Sequence, residues 1–185
     1  LNREYYIGLL NAAAFYGASH QQPQELTIIT DKGNYRDKHK NEVKINFVGK
    51  KSIPSAYIQQ KTTKTGYIKI SGPELTAMDL IFYQYEIGGL SRAGTVLNEL
   101  AEELDFNRVD NDFFTYFPST TVQRLGYILD EVLEYNEIAQ VLCDKAIQAG
   151  VSFRKSLLKP ENDTEQASYN KQWRLVINEE IEIDE

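Results

Sequence analysis

Three residues in the first half of the chain have the types and order of a metal-dependent nuclease of the restriction-enzyme type. Asp31 follows the apolar run "ELTIIT", and Glu42-Val43-Lys44 comes shortly after it. In such a site two carboxylates hold Mg²⁺ and the lysine steadies the attacking water. The spacing here is loose, and Glu42 and Lys44 alternating with Val43 and Ile45 are also what the wet face of a strand requires. The other reactive side chains form no second constellation. His20 and His39 are the two histidines, and neither has the i, i+4 helical spacing of a zinc-binding pair. His20 reads as a loop residue that hydrogen-bonds the preceding helix, and His39 as an exposed member of a basic turn. Cys143 is the one cysteine, which rules out an internal disulfide or a multi-cysteine zinc site, and its place beside Leu142 on the apolar side of a predicted helix points to the core. The glycines of "YGASH" and "IGGLSRAG" match neither a phosphate loop nor a dinucleotide fingerprint. Outside the Asp31, Glu42, Lys44 alternative, the reading assigns no catalytic residue, metal or cofactor.

Charge offers a different kind of chemistry. The net charge of −7 is not the footprint of a chain that grips phosphate backbones as a whole. Its distribution is uneven: Lys32, Arg36, Lys38, Lys40, Lys44, Lys50, Lys51, Lys61 and Lys64 fall early, while acids gather after Glu99. A one-signed sheet rim can dock an acidic protein face or a nucleic-acid backbone, although solvated lysines give the same pattern. The candidate contact residues are Arg36, Lys38, Lys50 and Lys51, joined by Arg92 and Arg124 from the second half. His20, Gln21 and Gln22 add hydrogen-bonding groups without fixed charge. No apolar run reaches membrane-spanning length and the start lacks a signal-peptide pattern, so a reducing, cytoplasmic setting is expected. The first residue is Leu1 rather than methionine, which leads us to expect a preceding segment.

These residues need elements to position them. A chain of 185 residues, 42% hydrophobic, is long enough to bury a core. Helical spacing in "YYIGLLNAAAFYG" predicts a helix from Arg3 to Tyr16 stopped by Gly17. Strands are predicted at Glu25 to Thr30, Glu42 to Lys50, Ile53 to Gln60 and Gly66 to Ser71, a mixed or antiparallel sheet of about four. The period then changes. "PELTAMDLIFYQYEI" predicts a helix ended by Gly88-Gly89, with Asp79 on its polar side, and Ser91 is a plausible N-cap of the next. A short helix at Phe106 to Tyr116 and two longer ones, from Ser119 to Tyr135 and from Asn136 to Gly150, follow; the polar segment from Lys159 to Gln172 reads as a surface loop, and Trp173 to Asp184 as a strand. The class is α+β, one compact bilobed domain with a sheet lobe at 1–71 and a mainly helical lobe with a C-terminal strand at 72–185.

Taken together, "YYIGLLNAAAFYGASHQQPQ", "TGYIKISGPELTAMDLIFYQYEIGGLSRAGTVLNELAEELD" and "QRLGYILD" resemble the C-terminal domain of the AbiEi antitoxins of bacterial type IV toxin–antitoxin and phage abortive-infection systems. The likeness covers most of Tyr5 to Asp130. It implies a non-enzymatic module that neutralises a nucleotidyltransferase-like toxin encoded beside it and assists cooperative binding at promoter repeats. It also implies an N-terminal winged helix-turn-helix that binds the promoter and lies outside this sequence, so DNA binding is expected of the full-length protein. A purely structural oligomerisation domain is the remaining alternative.

Overall fold

The computed structural model describes residues 4–18, 23–31, 38–40, 43–64 and 66–184. Its first half is a six-stranded mixed sheet: β1 (Tyr5–Ile7), β2 (Glu25–Thr30), β3 (Lys38–Lys40), β4 (Val43–Gly49), β5 (Ile58–Thr63) and β6 (Gly66–Ser71), in the order β3-β4-β2-β1-β6-β5. β1 lies antiparallel to β2 and parallel to β6, and β2 runs parallel to β4. Two strands exceed the predicted four. Tyr5-Tyr6-Ile7 is strand rather than helix, because a slot between β2 and β6 pairs it and its aromatic and β-branched side chains suit a strand. Helix α1 therefore starts only at Leu9 and ends at Phe15. Gly8 makes the corner between them, where an added Cβ would stand 2.6 Å from Ile29 Cδ1. Lys38–Lys40, expected in a turn, pairs antiparallel with β4. The predicted strand from Ile53 begins five residues late, after a 3-10 turn at Ser55–Tyr57 that follows Pro54.

Helices α2 (Pro73–Phe82), α3 (Gln84–Ile87), α4 (Leu90–Leu100), α5 (Ser119–Tyr127) and α6 (Asn136–Gln148) make the second half. Pro73 occupies the first turn of α2, whose residues from Pro73 to Ile81 are all buried. The predicted continuous helix breaks at Tyr83, and Gly88 closes α3 with a left-handed φ of 101° that favours glycine. Ser91 does not cap α4, since Gly89 holds that position. Phe106 to Tyr116 divides into two 3-10 segments, and α5 passes into a π-helical turn at Ile128–Val132 instead of running on as regular α-helix.

Of the strand expected from Trp173 to Asp184, only Leu175–Ile177 is strand, and two further strands join it. β7 (Ser156–Leu157), β8 (Ser168–Asn170) and β9 (Leu175–Ile177) form a small sheet in the order β7-β9-β8, with β8 inside the stretch expected to be loop. Trp173 docks this sheet: a Cβ on Gly126 of α5 would lie 2.0 Å from its ring, so only glycine admits it. Its indole N–H donates to Asp130 at 2.9 Å, and Gln123 donates to its carbonyl at 2.7 Å. One contiguous hydrophobic core runs from Tyr6 through α2 and α5 to Leu175.

Candidate partner-binding site

Helix α2 is apolar nearly all round, so the one acid in its middle has no wet face to occupy. Asp79 is completely buried, contrary to the polar-side expectation. Lys50, at the end of β4, turns inward to meet it, Nζ to Oδ1 at 3.0 Å, and Tyr6 donates to Oδ2 at 2.6 Å. The Lys50 ammonium also stands 4.0 Å from the ring centre of Phe117, with Phe82 and Tyr83 further round it. Burial holds the Asp79 carboxyl above the usual carboxylate range, against the pull of the Lys50 charge and the hydrogen bonds from Tyr6 and Lys50. Burial, and Asp79 beside it, push the Tyr6 phenol upward as well. Lys50 is therefore no surface contact: at 5% exposure it belongs to an ion pair that fastens the sheet to α2. Asp79, an acid inside the otherwise apolar run of α2, is the one sequence signal for this pair, while Lys50, at the end of an alternating strand and beside Lys51, reads as a surface lysine.

The remaining sequence candidates have separate surroundings. His20, Gln21, Gln22 and Arg36 lie outside the described residues, as does Glu42. Lys38 belongs to β3. Lys51 is exposed just after β4. Arg124 on α5 is half-buried and donates to the Leu157 carbonyl at 3.0 Å, tying α5 to β7. Its buried Nε finds no partner among the described residues. Of the nuclease-like set, Lys44 pairs with Glu25 at 2.8 Å and Asp31 accepts from the Thr30 hydroxyl at 3.3 Å. Among the described residues no group of three or more His, Cys, Asp or Glu side chains is placed to hold a metal ion.

Arg92 is different. It is exposed on α4 and lines a cleft of about 590 Å³ between α1, the edge of β2 and the α3–α4 corner. Glu25, Glu86 and Asn46 share the lining, with Leu10 and Ile87 as apolar contacts. Pro23 and Gln24 reach it from the segment that follows "GASHQQ". Asn11 fixes one wall: its Nδ2 donates to the Glu25 carbonyl at 3.0 Å and its Oδ1 accepts from Thr27 N–H at 2.8 Å. The result is a preformed, mixed-charge recess that offers hydrogen bonds and one guanidinium, equipped for recognition by non-covalent contact.

The family model of the AbiEi antitoxin C-terminal domain matches residues 6–131. Those residues span the sheet, helices α1 to α5, the buried ion pair and the Arg92 cleft. The fold is also similar to the crystal structure of the RV2827C protein from Mycobacterium tuberculosis, with a TM-score of 0.62 and 15% sequence identity over 95% of this chain. This chain spans 62% of that structure's length. A search among curated proteins finds none that matches. With the family pattern covering more than half of the sequence, the chain belongs to the AbiEi antitoxin C-terminal domain family.

Proposed function

We propose that this chain is the antitoxin module of a type IV toxin–antitoxin, phage abortive-infection system, acting in the cytoplasm to neutralise a nucleotidyltransferase-like toxin without catalysing a reaction. The family match across residues 6–131 carries this reading. In it, the sheet half (1–71) and the helical half (72–185) act as one bilobed domain that works by surface complementarity. The Arg92 cleft is the recognition surface, with Lys51 and the basic residues of the sheet adding charge. Promoter autoregulation belongs to the same proposal, with sequence-specific DNA contact supplied by a winged helix-turn-helix ahead of this domain.

The test is a pair of measurements on one operon. Toxin expression alone is expected to arrest growth, and co-expression of the antitoxin to restore it, while a promoter–reporter fusion is repressed by the full-length protein. Unchanged arrest in the presence of folded antitoxin contradicts the reading. Arg92→Ala is expected to weaken rescue while leaving the thermal midpoint unchanged, because Arg92 makes no ion pair with any described residue.

A further inference from the structure

We propose that the C-terminal part of the chain builds a second docking cleft, one that takes a cationic, partly apolar segment of a partner protein. The cleft holds about 810 Å³ between the π-helical turn after α5, the loop before β8 and the segment after β9. Its apolar lining comes from Tyr127, Val132, Ile177 and Ile181, all half-buried. Around these stand five carboxylates, Glu131, Asp163, Glu165, Glu179 and Glu180, and among the described residues no lysine or arginine lines the space. The neighbouring cation Lys159 is already engaged, 3.4 Å from Glu179 Oε1. Glu179 Oε2 is shut off from solvent and lacks a donor among the described residues.

The walls are held in place before any partner arrives. Glu131 accepts from Asn170 at 3.0 Å, which joins the π turn to β8. Asn178 donates to the carbonyls of Lys159 at 2.7 Å and Asn162 at 3.1 Å and accepts from Lys159 N–H at 3.0 Å, pinning the loop. The last residues lie along α4: Glu182 N–H donates to Ser91 Oγ and Asp184 N–H to Thr95 Oγ1, both at 3.1 Å. Gly94 makes room for them, since a Cβ there would stand 2.7 Å from Ile183. A preformed cleft has little ordering left to do on binding.

Charge decides the occupant. Five acids facing one recess repel phosphate backbones and attract ammonium and guanidinium groups, and the apolar lining suits lysine stems and the side chains between them. Apart from Tyr127, Glu131 and the α4 seat, the cleft lies beyond residues 6–131, which the family pattern matches. The proposal goes beyond the toxin reading and holds for any protein partner carrying such a segment.

The test is fluorescence anisotropy of the whole chain with a short labelled peptide that alternates lysine and leucine. Saturable binding that weakens with salt is expected. The triple variant Glu131→Gln, Glu165→Gln, Glu180→Gln, at three exposed positions, should lower affinity by about tenfold, and Arg92→Ala should leave it unchanged. Absence of binding, equal affinity of the triple variant, or equal affinity for a lysine–serine peptide of the same charge would overturn the cleft. Self-association of the chain that the triple variant abolishes would overturn the choice of occupant, assigning the cleft to a second copy. Failure of toxin rescue leaves all these readouts intact, so the two readings fail separately.

Discussion

The Lys50 ammonium lies 3.0 Å from the Asp79 carboxylate in the interior of the protein, with Tyr6 completing the carboxylate's partners from the other side. A charge pair that deep is held by its partners, because either charge alone has no water to turn to. The contact joins the end of β4 to the middle of α2, and Tyr6 brings in β1.

Asp79→Asn and Lys50→Met are each expected to cost about 3–5 kcal/mol, since each leaves one uncompensated buried group. The double variant should cost clearly less than the sum, which is the signature of direct coupling. Urea unfolding of the four proteins measures this; additive losses would mean that the pair contributes no mutual stabilisation.

Gly126 admits the Trp173 ring where any side chain collides with it. Gly126→Ala should destabilise by about 1–3 kcal/mol through overpacking, and Trp173→Ala by about 3–5 kcal/mol through the cavity it leaves. Trp173 is the one tryptophan, so its emission reports the docking of the small sheet directly. A Gly126→Ala protein with unchanged emission and melting temperature would refute the contact.

Burial, with Glu74 and Glu103 nearby, pushes the Tyr16 phenol up to about 12 from its ordinary value of 10.0. Tyr6, Tyr57 and Tyr83 move in the same direction, with burial the first cause in each. A phenol whose folded value is raised contributes stability that is complete below its unfolded value and is lost as pH rises through the folded one. Stability should therefore fall steeply above about pH 10, and the fall should be shallower for Tyr16→Phe. Chemical denaturation across that range checks both.

Cys143 sits on α6 at 7% exposure, and burial raises its thiol, with Asp144 and Asp130 adding to the shift. The native protein should react slowly with a thiol reagent at neutral pH and rapidly in denaturant. Equal rates would show that the helix face carrying Cys143 is open.

The hydrophobic periods disclose the α+β order and the approximate places of α4, α5 and α6, since their buried faces recur along the chain; α2, buried all round, is legible from Pro73 and the apolar run after it. Tyr5–Ile7 defeated the same reading because a three-residue strand makes no period; it is a strand only by lying between β2 and β6. Lys50 misled for a related reason. It ends an alternating strand whose neighbours are wet, and only the arrival of Asp79 and three aromatic rings from distant sequence makes the interior habitable for an ammonium. Arg92 reads from the sequence as a partner contact, but its cleft depends on Asn11 closing the corner against β2, which no local pattern announces.

The proposed antitoxin function is tested most directly by the plating efficiency of cells that express the proposed nucleotidyltransferase-like toxin, with and without this chain in trans. Colony formation is expected to return with the wild-type chain, to return less fully with Arg92→Ala, and to be unaffected by Cys143→Ala. Persistent growth arrest alongside soluble, folded wild-type antitoxin would contradict it.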